Sequence, residues 1–351
     1  MTGQAAAEEA DINKNEPAAG TRWLITGGCG FIGTNLIARL LGEGGQIIRV
    51  LDNLAVGTRD DLAAVGEVSE DRPDAGVKTP ADADGICRLI RGDVRDPETC
   101  RRAAADVDII VHLAANTGVA PSVDDPAMDM ETNVRGTFNM LEAARQQGVK
   151  RFIFASSGAP VGECRPPVHE ELAPHPVSPY GAGKLAGEGY CSAYFHTFGV
   201  NTVALRFGNV YGPGSSRKGS VVARFIKRAM AGRPLEIYGD GAQTRDFIYI
   251  DDLVRAIILS SRAPDIGGEI FQIATSRETT VNELAEALVP LLNQAGLADI
   301  RIINGEERIG DVRRNFSDTT KAAQRLGWQC RYDLSRGLAE TVSYFIRRQS
   351  R

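Results

Sequence analysis

Tyr180 and Lys184 stand four residues apart in Ser178-Pro-Tyr-Gly-Ala-Gly-Lys184, a spacing that sets both side chains on one face of a helix. Ser178 is a natural N-cap and Pro179 a natural first-turn residue, so the helix is expected to begin there. A tyrosine hydroxyl titrates near ~10 in isolation. An ammonium beside it, together with a cationic nicotinamide ring, would stabilise the phenolate and bring it toward the working range of a general base. The pair therefore suits moving a proton while a dinucleotide moves a hydride. Ser157 ends the apolar run Lys150-Arg-Phe-Ile-Phe-Ala-Ser-Ser157 and is expected to hydrogen-bond both the reacting oxygen and Tyr180.

The dinucleotide itself is expected near the N-terminus. Trp23-Leu24-Ile25 reads as a buried parallel strand, and Gly27, Gly30 and Gly33 follow in Thr26-Gly-Gly-Cys-Gly-Phe-Ile-Gly33. In such a turn one glycine makes the bend, one admits the pyrophosphate to the backbone, and one lets helix lie on strand. A helix from Phe31 and Ile32 to Leu41 would then aim its first amides at the phosphates. A second apolar run, Ile47 to Leu51, ends at Asp52, nineteen residues after Gly33. That carboxylate, with Asn53 beside it, is placed to accept from the adenosine ribose and favours NAD over NADP; Arg59 nearby leaves NADP open. A third strand ends at Asp93 and Val94, with Asp93 a candidate for the adenine amino group. A fourth, from Asp108, enters the small-residue turn Leu113-Ala114-Ala115. All these positions fall beyond the carboxyl ends of strands, where an open parallel sheet binds ligands.

With these stretches in place, the chain resembles the extended short-chain dehydrogenase/reductase family of NAD-dependent nucleotide-sugar epimerases and dehydratases, from about Thr21 to the C-terminus. Besides the glycine turn and the Tyr180 motif, the matching stretches are Gly92-Asp-Val, His112-Leu-Ala-Ala, Asn133-Val-Arg-Gly-Thr, Arg206-Phe-Gly-Asn-Val-Tyr-Gly-Pro213, Gly239-Asp-Gly-Ala-Gln-Thr-Arg-Asp246, Tyr249-Ile-Asp-Asp252 and Gly310-Asp-Val-Arg-Arg. The resemblance implies a Rossmann α/β fold, a doubly wound parallel sheet with a smaller, interleaved C-terminal substrate lobe. It implies Ser157, Tyr180 and Lys184 as the catalytic set, and Asn209, Arg245, Arg308 and Asp311 as the positions that hold a sugar nucleotide. The arginines suit phosphates and Asp311 a ribose.

Related 4,6-dehydratases carry an acidic pair after the serine, where this chain has Gly158 and Ala159; decarboxylases carry an acidic residue near that serine. Glycine and alanine resemble the 4-epimerases instead. Such an enzyme would take the 4-hydroxyl proton on Tyr180, pass through a 4-keto sugar and regenerate NAD. Asn315 occupies the position that gates the sugar in related epimerases, where smaller residues admit N-acetyl groups. UDP-GlcNAc/UDP-GalNAc is therefore favoured, with UDP-glucose/UDP-galactose also possible; the alternatives are another nucleotide-sugar enzyme of the same family (dehydratase, decarboxylase or UDP-glucuronate 4-epimerase) or a non-catalytic NAD-binding regulator. Pro160-Val161-Gly162 departs from the family's Val-Tyr-Gly and leaves the shape of the sugar pocket open.

Gly181, Gly183, Gly187 and Gly189 interrupt the Tyr180 helix, at a cost of ~1 kcal/mol each relative to alanine. Gly183 and Gly187 share a face and are expected to meet the 129–147 segment or its copy in a homodimer.

The elements that must position these residues are those of an ordinary globular chain: 351 residues, 43% hydrophobic. Residues 1–20 read as a disordered tail, 21–207 as the NAD domain with parts of 240–275 returning to it, and 208–351 mostly as the substrate lobe. The stretch 66–85 reads as a flexible surface insertion. Helices are expected over Ser220–Met230 and from Thr280, which has a capping signal. The net charge of −5 argues against a nucleic-acid or membrane surface, and no run reaches the length of a membrane helix. Six cysteines without Cys-x-x-Cys spacing and four histidines give no metal site. Cys29 is expected to pack rather than react, and the cysteine usage to fit a reducing cytoplasm.

Overall fold

The computed structural model describes residues 20–71, 85–307 and 312–349. Eight strands form one sheet: β1 (Arg22–Thr26), β2 (Ile47–Asp52), β3 (Glu67–Glu70), β4 (Ile86–Arg91), β5 (Ile109–His112), β6 (Arg151–Ser157), β7 (Thr202–Phe207) and β8 (Glu269–Ile273). Their order is β8-β7-β6-β5-β1-β2-β4-β3, and every pairing is parallel. The chain winds outward from β1 in one direction and from β5 in the other. The gap between β1 and β5 is therefore the switch point, where a ligand crevice is expected.

Strand chemistry explains the two layers around this sheet. Successive side chains of a strand point to opposite faces, so Trp23 and Ile25 enter one core while Leu24 enters the other. The first core includes Leu36, Ile37 and Leu40 of helix α1 (Phe31–Glu43). The second includes Met140 and Leu141 of α2 (Gly136–Gln147) and Cys191 and Tyr194 of α3 (Pro179–Phe198). Strands buried on both faces need continuous apolar runs, which is why they stand out in the sequence.

Three features differ from the sequence reading. Part of the expected 66–85 insertion is ordered as β3, the outer edge of the sheet, and Asp71 after it takes a two-point bond from Arg88; residues 72–84 lie outside the described residues, as do residues 1–19 of the expected tail. Gly187 does not face a helix: a Cβ there would strike the Phe154 ring of β6. Gly183 does meet the 129–147 segment, within the same protomer, with its would-be Cβ 3.1 Å from Asn133 Cβ.

Beyond β7 the chain builds short ladders beside the carboxyl ends of the sheet. Asn209–Tyr211 pairs with Phe247–Tyr249, and Thr244–Arg245 with Thr279–Thr280. Two helices fall where expected: α4 (Val221–Met230) and α5 (Val281–Gln294), the latter starting with a full capping box between Thr280 and Glu283. A last helix, α6 (Leu334–Gln349), lies against α5.

Candidate active site and cofactor cleft

The turn after β1 is shaped by atoms that leave no room for side chains. Gly27 has φ +68°, and a Cβ there would lie 2.9 Å from the Ala114 amide nitrogen, because the end of β5 crosses over it. At Gly33 a Cβ would sit 2.5 Å from Gly28 Cα, so α1 rests directly on the turn. Gly57, which sequence reasoning missed, closes the same loop: a Cβ on it would overlap the Cys29 carbonyl. These backbones form a cradle that a Cβ would fill, as a pyrophosphate at a helix N-terminus requires.

The cradle opens into a cleft of about 1570 Å³. Every residue assigned to the dinucleotide apart from Tyr180 and Lys184 lines it: Gly27, Gly30, Phe31, Ile32, Gly33, Asp52, Asn53, Asp93, Val94, Leu113, Ala114 and Ala115. Asp52 holds the turn as well as lining the cleft. Its Oδ2 accepts from the Cys29 amide at 2.9 Å and its Oδ1 from the Leu54 amide at 2.8 Å. Burial raises its carboxyl above the usual range, and the same two amides oppose the rise. Asp93 is held down at about 2 by the bonds from Arg95, with Asn53 adding a third donor at 3.0 Å. Arg59 turns away to Glu70 of β3, so no cation from that residue faces the ribose end. Instead Asp61 joins Arg217 and Arg348, at 3.0 and 2.8 Å, across the mouth of the cleft. Cys29 is buried and its thiol pushed up by burial, which suits packing.

Tyr180 and Lys184 lie at the start of α3, beside the end of β6. Ser178 caps the helix by accepting from the Gly181 amide at 3.1 Å, with Pro179 in the first turn. Lys184 is 3% exposed; its ammonium donates to the Ala155 carbonyl at 2.8 Å and lies 5.9 Å from the Tyr180 ring centroid. Burial pushes the Tyr180 phenol up to about 12, while a hydrogen bond with Ser157 pulls it down. Burial also draws Lys184 down to about 8. The protein's own groups thus bring Ser157, Tyr180 and Lys184 together, but they leave the phenol above its ordinary value.

Asn133 links this group to the cleft. It sits in a π turn, Glu131–Arg135, and grips the backbone of Asn116 through both ends of its amide, at 2.9 and 3.0 Å. Asn116 lines the cleft directly after Ala115. The motif Asn133-Val-Arg-Gly-Thr was visible in the sequence, but not this task.

Of the residues expected to hold a sugar nucleotide, Asn209 is exposed at the start of its short strand. Arg245 is half-buried and donates to the carbonyls of Thr244 and Val312, each at 2.6 Å. Arg308 and Asp311 lie outside the described residues. Asp246, missed as a functional residue, ties this side together: its carboxylate accepts from Thr275, Ser276 and Ser317 amides, and its backbone carbonyl from the Asn209 amide. Asn315 faces Gly158: its Nδ2 would lie 3.8 Å from a Cβ placed there. Val161 is buried, and Gly162 (φ +72°) takes the chain under the His175 carbonyl.

Among the described residues no group of three or more His, Cys, Asp or Glu could hold a metal ion, and no helix is long and apolar enough to cross a membrane.

Known proteins resemble this chain in sequence and fold. The chain is 35% identical to the UDP-glucose 4-epimerase of Mycolicibacterium smegmatis, over 92% of its own length and 98% of the relative's. Its fold is similar to that of the UDP-glucose 4-epimerase of Thermotoga maritima in complex with UDP-glucose, with a TM-score of 0.81, 35% identity, and coverage of 94% of this chain and 100% of that one. It is also similar to the UDP-N-acetylglucosamine 4-epimerase of Methanobrevibacter ruminantium, with a TM-score of 0.81, 29% identity, and 93% and 99% coverage. Residues 23–274 match the NAD dependent epimerase/dehydratase family. The chain therefore belongs to the NAD dependent epimerase/dehydratase family.

Proposed function

We propose that the protein interconverts the 4-epimers of a UDP-sugar, with UDP-GlcNAc/UDP-GalNAc favoured and UDP-glucose/UDP-galactose second. The observation that carries this reading is the neighbourhood of Ser157: Gly158 and Ala159 follow it, and the neutral Asn315 amide faces Gly158. No carboxylic acid occupies those two positions to protonate a leaving hydroxyl, so loss of water is disfavoured relative to returning the 4-keto sugar to an alcohol.

NAD, when bound, supplies the oxidising power that converts the sugar C4 alcohol to a ketone and then reverses it. The chain's own residues do the rest. Gly27, Gly30 and Gly33 with Phe31 and Ile32 would hold the pyrophosphate. Asp52 and Asn53 would face the ribose, Asp93 and Val94 the adenine, and Leu113 to Ala115 would pass beneath the dinucleotide. Tyr180 would take the 4-hydroxyl proton, with Ser157 fixing the oxygen and Lys184 providing positive charge. Asn209, Arg245, Arg308 and Asp311 are proposed to hold the UDP.

A homodimer is proposed from the outer face of α2 and α3. Phe138, Tyr190 and Phe198 are 39%, 39% and 53% exposed there, and Phe138 lies edge-on to Tyr190. The six free cysteines suit a reducing compartment such as the cytoplasm.

The test is to incubate the purified protein with UDP-GlcNAc, UDP-glucose and UDP-glucuronate separately and follow each by NMR and mass spectrometry. A new anomeric signal at unchanged mass is the expected result. A product lighter by water or carbon dioxide would overturn the reading.

A further inference from the structure

Lys184 is a buried cation, and a buried charge persists only where other groups compensate it. On α3 itself Glu188 is engaged elsewhere: Arg206 of β7 grips it at 2.8 Å through Nε and Nη2, and the Ser156 hydroxyl donates to it at 2.6 Å. Cys191 and Tyr180 share the helix, and both are pushed up by burial toward their neutral forms. From β5, His112 is pushed down to about 3 by burial and stays neutral.

The remaining group is Asp129, in the short helix Pro126–Met130. It is 1% exposed. Its Oδ1 accepts from Asn133 Nδ2 at 2.8 Å. Its Oδ2 faces α3, where it would lie 3.3 Å from a Cβ on Gly183, the residue before Lys184. The glycine permits this approach, which accounts for a helix-weakening residue at that position.

We infer that Asp129 is a positioning residue for the catalytic pair, a buried counter-charge that keeps Lys184 protonated beside Tyr180. Burial lowers the proton affinity of Lys184, and Asp129 is the largest of the groups that raise it again. The influence is mutual: burial raises the Asp129 carboxyl, and Lys184 opposes the rise. Asp129 also raises Tyr180, so the carboxylate holds the ammonium at the expense of the phenolate. The assignment rests on Tyr180 and Lys184 acting as the proposed acid–base pair, but its test does not need a sugar.

The chain has seven lysines, few enough to follow individually by carbon-13 NMR of ε-labelled protein, with K184M identifying the Lys184 signal. In D129N the Lys184 midpoint should fall by about 1 pH unit, the scale of a nearby opposite charge. An unchanged midpoint overturns the proposal. Should D129N fail to fold by circular dichroism, K184M provides the reciprocal measurement: the Asp129 carboxyl should titrate at higher pH than in the wild type, and an unchanged value again overturns it. A displaced midpoint in a protein that converts no nucleotide sugar would uphold the counter-charge and defeat the epimerase reading alone.

Discussion

The Asn315 amide faces Gly158, its Nδ2 standing 3.8 Å from where a Cβ would project. Two segments far apart in the chain thus meet beside Ser157, one ending β6 and the other running back from the short ladders of the C-terminal half. A large side chain at 315 would fill the space in front of Gly158. N315Y should therefore reduce kcat/KM for an N-acetylated UDP-sugar about 10-fold relative to the plain hexose, the scale of one steric exclusion. Equal ratios for wild type and variant would show that this contact does not gate the sugar.

Tyr180 is half-buried and bonded to Ser157. Removing its hydroxyl alone should leave the fold and the NAD cleft intact. Y180F is expected to lower turnover about 10³-fold, within the span of general acid–base catalysis, while still binding NAD by fluorescence titration. Loss of both together would point to a structural part for the phenol.

Gly187 lies against the Phe154 ring rather than against a second helix. G187A should overpack the second core and lower stability by ~1–3 kcal/mol, read as a shift in urea midpoint. The oligomeric state on size-exclusion chromatography should not change. Dissociation without loss of protomer stability would restore the interface reading of this glycine.

His112 gives a pH dependence whose sign follows from burial. Its imidazole is held down at about 3, against about 6.5 in an unfolded chain. Between those values the unfolded state binds the extra proton, so stability falls as pH drops. The contribution is complete above about 6.5 and lost on approaching 3. H112Q should therefore unfold with a shallower acid dependence than wild type, by a few kcal/mol across this window. Parallel curves would rule out this histidine as the titrating group.

Asp61 joins Arg217 and Arg348 across the cleft mouth, and both pairs are partly exposed. R348A should speed NAD release about 3-fold at low salt, as expected of a surface ion pair. The difference should vanish in 1 M salt, which shortens the screening distance to about 3 Å. An effect that survives salt would assign Arg348 a direct contact with the cofactor.

Much of the set that lines the cleft was legible in the sequence because its causes are local. A glycine needed for φ +68° at Gly27, or an apolar run buried on both faces of a sheet, leaves its mark within a few residues. Asp129 left no such mark: its importance comes from the approach of a short helix to Gly183, fifty-odd residues later. Asp246 lay inside a recognised stretch, yet its bonds to Thr275, Ser276 and Ser317 depend on chain crossings that no periodicity encodes. The four-residue spacing puts Lys184 near Tyr180, but it carries nothing about the desolvation that raises the phenol. Gly187 was misread for a related reason, since a small residue on a helix face signals close approach without saying to what.

The position of β8 at the sheet edge bears on how the protein is made. Its partner β7 is complete at Phe207, but β8 begins only at Glu269. During synthesis the growing chain must therefore hold a finished row of strands with one unsealed margin. Such margins invite pairing with other chains, and late, long-range closure slows folding. The helices and ladders between β7 and β8 include the Asn209 and Arg245 segments, so the segments proposed to hold the sugar nucleotide are threaded through the loop whose closure completes the sheet. A nascent chain cannot seal that sheet before the Asn209 and Arg245 segments have left the ribosome.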